Sequence, residues 1–159
     1  MTSTINARRT GRLEGEFVVF LIGMRVNRWW KVHQWLRVAM AMPRMLRELA
    51  RNPELGFLGA ESWFGRTTIM VSYWRSMEDL LRYATSKTHA HLPAWRAFQA
   101  TVGTNGDVGI WHETYRSRAG DHETVYVNMP PFGLARAGTS IDAVGAHARA
   151  KDRLAATAA

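Results

Sequence analysis

The stretch FVVFLIGMRVN, residues 17–27, limits the possible folds more than any other part of the chain. β-Branched and aromatic residues dominate it, which is the composition of a strand. Successive side chains of a strand point to opposite faces. Val18, Phe20, Ile22, Met24 and Val26 therefore share one face, and Phe17, Val19, Leu21, Gly23, Arg25 and Asn27 the other. One face is wholly apolar and the other is apolar until Arg25, so the sheet that holds this strand must be covered on both sides.

The segments that follow say what could cover it. In RWWKVHQWLRVAMAMPRMLRELARNPE, Val32, Trp35, Leu36 and Ala39 fall at helical spacing, and Leu46 and Leu49 continue the stripe. Pro43 predicts a kink or a second helix, and Asn52-Pro53 an end. Two strands are expected at about residues 56–64 and 67–74, joined at Gly65-Arg66 in a tight hairpin. Ser76-x-x-Asp79 reads as a cap for a helix carrying Leu80, Leu81 and Tyr83. A further helix fits residues 91–103, with Pro93 near its first turn and Gly103 past its end. GDVGIWHETYRS closes the pattern as a strand, and ETVYVNM adds another. The order βαββαβ plus a final strand predicts an α+β, ferredoxin-like domain. Helices of that fold cover one face of the sheet. The dry second face predicts a homodimer packed sheet against sheet.

The chain has 159 residues, enough for one domain, expected over residues 16–138. Residues 1–15 read as a flexible basic tail and residues 139–159 as an Ala-rich tail. No cysteine is present, which excludes disulfides, thiolate metal sites and thiol nucleophiles. The formal charge is +8, yet arginines are scattered from Arg8 to Arg153 and the lysines are only Lys31, Lys87 and Lys151. With no helix-turn-helix, RNP or zinc-finger pattern, this predicts a basic surface that attracts anionic ligands rather than a nucleic-acid binder. The N-terminal residues lack an apolar core and no run of ~18 apolar residues occurs, so a cytoplasmic protein without a membrane partner is expected. Glycines fall singly, so no flavin or nicotinamide fingerprint is present.

Several residues have types that could carry chemistry. In DVGIWHETY, His112 shares parity with Val108 and Ile110, and Glu113 with Trp111 and Tyr115, so the two cannot form a dyad. A half-buried His112 is a satisfied core histidine, a base for a phenol-like substrate or an iron donor. Glu113 and Glu61 suggest a structural ion pair with an arginine such as Arg25 or Arg66. Arg25 and Asn27, polar at the end of an apolar face, suit an oxygenated or anionic ligand or the dimer seam. His89-Ala-His91 lacks a third ligand within a helical turn, so no metal site is expected. Seven tryptophans exceed what a core this size requires. Trp29, Trp30, Trp74, Trp95 and Trp111 are candidates to line a cavity for a polycyclic, terpenoid or porphyrin ligand, or to fill the core and the dimer interface.

The segments FVVFLIGMRVNRWWKVHQWL, ESWFGRTTIMVSYWRSMEDLLRYA, HLPAWRAF, GDVGIWHETY and VYVNMPPFGL resemble the fumagillin-pathway monooxygenase-like family. That family, formerly a domain of unknown function, resembles in turn the antibiotic biosynthesis monooxygenases, and the likeness covers about residues 16–136. The resemblance implies a dimeric α/β barrel and three functional classes. The first is a monooxygenase-like enzyme oxidising a hydrophobic small molecule in specialised metabolism without a cofactor, with His91, Asn27 and Arg25 as base, orienter and anion stabiliser. The second is a heme b protein of the same fold (an oxygenase, a dehydratase-type lyase or a carrier) with His91 or His112 on the iron. The third is a non-catalytic dimeric ligand-binding module.

Overall fold

The computed structural model describes residues 3–118 and 120–158. Strand β1 (Ile5–Arg12) leads into β2 (Phe17–Val26), followed by helices α1 (Val32–Ala39) and α2 (Ala41–Arg51). Strands β3 (Phe57–Trp63) and β4 (Ile69–Trp74), helices α3 (Met77–Thr85) and α4 (His91–Thr101), and β5 (Val108–Ser117) complete the expected unit. The chain continues through β6 (Tyr126–Met129), the short α5 (Leu134–Ala137), β7 (Thr139–Asp142) and α6 (Ala150–Ala158). The main sheet is antiparallel in the order β3-β4-β2-β5, which is the ferredoxin-like arrangement. Its centre is β2, paired along its length with β5 and over Val18–Ile22 with β4.

The helices cover the even face of β2, as its alternation requires. Val18 and Trp74 pack with Leu49, Leu55, Leu80 and Tyr83 in one buried cluster, with Phe20 against it. Phe98, Val102 and Val108 form a second, joined by Met24, Trp35, Val38 and Ile110. The break between α1 and α2 falls at Met40, whose backbone stays in the right-handed helical region, and Pro43 sits in the first turn of α2. There its missing N–H costs no helical hydrogen bond. Ser76 caps α3, its Oγ accepting the Asp79 N–H at 3.1 Å.

The structure departs from the sequence expectation in three places. Residues 5–12, read as a flexible tail, form the central strand of a second sheet ordered β6-β1-β7. Polar cross-strand pairs hold β1: Arg9 Nε donates to Ser140 Oγ at 3.1 Å, and Thr10 meets Thr124 at 3.3 Å. Residues 139–158 are likewise β7 and α6 rather than a tail. Buried Arg153 fixes this end, donating to the carbonyls of His147 and Ala148 at 3.0 Å each and to Glu123 at 2.7 Å. Thirdly, β3 and β4 are joined by residues 64–68 rather than a two-residue turn. Part of that connection pairs with β2 instead, Val26 donating to the Arg66 carbonyl and Thr68 to the Met24 carbonyl, both at 2.8 Å.

The second face of the main sheet is covered in part by this C-terminal region. Phe132 packs edge-on against Trp63 at 6.0 Å, and Gly133 N–H donates to Glu61 at 3.1 Å. Arg136 completes an ion pair with Glu61 at 3.2 Å, so Glu61 has a structural partner, although not Arg25 or Arg66. The β2–β5 half of this face stays open: Val19 and Leu21 are only half-buried, and Tyr115 is exposed.

Candidate functional site

Helix α4 presents His91, Trp95, Phe98 and Val102 along one stripe at helical spacing. Phe98 and Val102 are buried against Val108, which turns this stripe toward the sheet. His91 is the first residue of α4, and its Nδ1 lies 2.9 Å from the Ala84 carbonyl oxygen. A carbonyl can only accept, so Nδ1 carries the proton and Nε2 keeps its lone pair in the neutral ring. Among the described residues nothing bonds to Nε2. One wall of this corner is Tyr83, whose ring centroid is 6.2 Å from that of His91.

A carboxylate that the sequence reading did not single out organises the same corner. Glu48 on α2 accepts hydrogen bonds from the Tyr83 hydroxyl and the Ala90 N–H, both at 2.9 Å, and from His89 Nδ1 at 3.1 Å. Burial pushes its carboxyl up, but the three donors outweigh that effect and hold it below the ordinary glutamate value. Burial and the Glu48 charge push the Tyr83 phenol up, so it stays neutral and donates. Through Ala90, Glu48 fixes the residue just before His91. The available signal was that Glu48 is the one acidic residue between Phe17 and Pro53.

His112 lies on the helix-facing side of β5, opposite Ile22, with its ring 5.7 Å from Phe20. It is exposed, which corrects the half-buried, core-histidine expectation: β5 is an edge strand and the apolar cover stops at Ile110. Phe20 and Tyr83 belong to the same apolar cluster, so His91 and His112 border it from two sides. Tyr83, which flanks His91, packs on Trp74 at the level of Val18, whereas His112 lies opposite Ile22, four residues or roughly 13 Å further along β2.

Other candidates lie elsewhere. Arg25 is exposed on the opposite face, its Nη1 donating to Thr67 Oγ1 at 3.0 Å, and Asn27 Nδ2 donates to the Gly106 carbonyl at 3.1 Å. Val18, beside Trp74 and Tyr83 at the His91 end, is seven residues from Arg25 along β2, or roughly 23 Å. The structure thus does not bring Arg25 or Asn27 to His91. Trp74 is 3% exposed and donates to Ser72 Oγ at 3.1 Å, making it core rather than pocket lining. Trp111 packs over Gly23 on the face away from the helices. Trp95 stacks on Phe98 at 5.5 Å and is half open at the His91 stripe. Trp29 and Trp30 project into solvent, 72% and 62% exposed. Glu113 pairs with the Tyr115 hydroxyl at 2.6 Å. Among the described residues no three His, Asp or Glu side chains converge as a metal site.

With this geometry in place, the relationship to known proteins is specific. Residues 17–134 match the monooxygenase af470-like family. The chain belongs to that family. The match begins at β2 and ends at α5, taking in Glu48, Tyr83, His91 and His112. Monooxygenase af470 of Aspergillus fumigatus is 31% identical to this af470-like chain over 94 residues, 55% of this chain. Those residues span only 33% of that protein. Aldoxime dehydratase superposes on 85% of the chain with a TM-score of 0.66 and 18% identity, over 44% of its own length, and shows the same fold. SnoaB, a cofactor-independent oxygenase from Streptomyces nogalater, is similar over 65% of this chain and 94% of its own, at 17% identity and a TM-score of 0.46.

Proposed function

We propose that this af470-like chain is a monooxygenase-like enzyme that oxidises a hydrophobic small molecule in specialised metabolism, acting as a cytoplasmic homodimer. The observation that carries the reading is His91, held by Ala84 through Nδ1 with Nε2 left unbonded among the described residues, Tyr83 alongside and Trp95 one turn further along α4. Family membership supports an oxygenase chemistry, and the open β2–β5 half of the sheet supports a second copy across that face. In this reading His91 Nε2 takes a proton from an activated C–H of an electron-rich substrate. The substrate anion gives one electron to O2, the two radicals join as a substrate hydroperoxide, and loss of water leaves a carbonyl. The sum is CH2 + O2 → C=O + H2O, in which the substrate itself supplies the electrons. The neutral Tyr83 phenol and the Glu48 cluster fix the histidine from behind.

The same anchor favours a second reading. A neutral imidazole whose Nδ1–H is bonded to a carbonyl is the form that donates Nε2 to iron, and an aromatic stripe on α4 suits a porphyrin edge. His91 would hold heme b there; His112 has no comparable anchor. Heme would supply the redox-active iron.

Hemin titration followed by absorption spectroscopy, together with oxygen uptake on electron-rich aromatic and terpenoid compounds, tests both readings on wild type, His91→Ala and His112→Ala. The oxygenase reading expects uptake without added heme, lost in His91→Ala. A saturable Soret band that disappears only in His91→Ala makes heme binding the better account. Uptake that survives His91→Ala removes the base assigned here.

A further inference from the structure

The exposed side of α1 and α2 has no place in that reaction. Met40 continues the helical backbone between them, so their exposed residues can be followed as one surface. On α1 and at its end this surface carries Val32, Leu36 and Met40, which recur every four residues and are 47%, 45% and 49% exposed. Trp29 and Trp30, edge to face at 6.1 Å, stand just ahead of them. In α2 the exposed residues include Arg44, Arg47 and Arg51, spaced to lie on one stripe, and Arg37 joins from α1. These four arginines have no ion pair among the described residues. Glu48, a turn from Arg44 and Arg51, is engaged by Tyr83, His89 and Ala90, and Lys31 and Arg28 are held by Asp107 at 2.7 and 2.9 Å. Cations that looked scattered along the sequence are thus gathered by helical winding.

We infer that this surface docks on an anionic lipid bilayer. A large exposed apolar patch marks a contact, and the chemistry around it selects the partner. Two adjacent tryptophans suit the headgroup boundary, where an indole buries its ring and keeps its N–H wet. A helix lying in that boundary needs an apolar edge to insert and cations to meet the anionic headgroups, and α1 and α2 supply one each. Arginine stems can lie along the acyl boundary while the guanidinium reaches phosphate. No helix among the described residues is long and apolar enough to cross a membrane, so the contact is peripheral.

The test is co-sedimentation of the full chain with vesicles of phosphatidylcholine alone or mixed with phosphatidylglycerol, at low and high salt. Binding to the anionic vesicles that falls with salt is expected. Arg44→Gln/Arg47→Gln/Arg51→Gln should weaken it on the order of a hundredfold at low salt, and Trp29→Ser/Trp30→Ser by about tenfold or more. The Trp29 carbonyl that accepts from Trp35 Nε1 survives the second change, so the fold should be kept. Equal binding to neutral and anionic vesicles, or variants that sediment like wild type, would overturn the inference. So would light scattering in which the variants alter oligomeric state while wild type ignores vesicles, since the patch would then be a contact between copies. Oxygen uptake in solution is read separately, so failure here leaves His91 untouched.

Discussion

Replacing Glu48 by alanine removes one acceptor from three donors at once: the Tyr83 hydroxyl, the Ala90 N–H and His89 Nδ1. A hydrogen bond to a charged group contributes about 1.5–3 kcal/mol, and a buried donor left without a partner costs about 1–3 kcal/mol. Tyr83 is 4% exposed, so its hydroxyl has little access to replacement water. Ala90 and His89 sit nearer solvent and recover part of their loss, which gives an expected destabilisation of about 2–4 kcal/mol. For a chain of this size that is a fall in Tm of roughly 5–15 °C. Urea unfolding of wild type, Glu48→Ala, Tyr83→Phe and the double variant closes a cycle that isolates the pair. The folded carboxyl titrates below its ordinary value, so its contribution is full above that value and fades as pH falls through the folded pKa. The gap between wild type and Glu48→Gln should accordingly narrow at acid pH. A loss under about 1 kcal/mol, or a Tyr83→Phe effect of equal size with and without Glu48, would refute the reasoning.

The tryptophans should divide sharply: Trp74→Ala is expected to cost about 3–5 kcal/mol and Trp30→Ala under about 0.5 kcal/mol by denaturation, and equal effects would contradict the burial described. Burial first, then Tyr126 and Glu61, pushes the Tyr73 phenol up to about 12. Stability is therefore full below the unfolded value near 10 and declines as pH rises toward 12, a loss that Tyr73→Phe should lessen in alkaline melts. Leu21→Glu, placing a charge on the open β2–β5 face, should convert the expected dimer to a monomer by light scattering; a wild-type monomer at micromolar concentration would remove the sheet-to-sheet pairing.

Legibility followed apolar periodicity. The alternation in residues 17–26 gave β2 and both its faces, and the cap at Ser76 and the Gly103 stop bounded α3 and α4, because burial and capping leave local traces. Strand β1 left none. Its sequence INARRTGR is polar, and its stability comes from partners more than a hundred residues away, such as Ser140 and Thr124. The dry second face led to the expectation of cover by a second copy, while the local source of part of its cover, residues 126–137, was not visible. His91 was singled out by resemblance, whereas its bond to the Ala84 carbonyl and the Glu48 cluster are tertiary facts. Arg25 and Asn27 illustrate the converse: polar residues on a dry strand face looked like a ligand site, yet they fasten the 64–68 and 103–107 connections. The pocket expectation for Trp74 failed because composition counts aromatic side chains without saying which are enclosed.

The most direct test of the account is isotopic. Wild type and His91→Ala, each without added heme, would be incubated under 18O2 with electron-rich polycyclic and terpenoid compounds, and the products weighed by mass spectrometry. The account predicts one 18O atom in the product of the wild type and none with His91→Ala, whose melting temperature should stay close to that of the wild type. Equal incorporation by both proteins, or products that carry oxygen only from water, would contradict it.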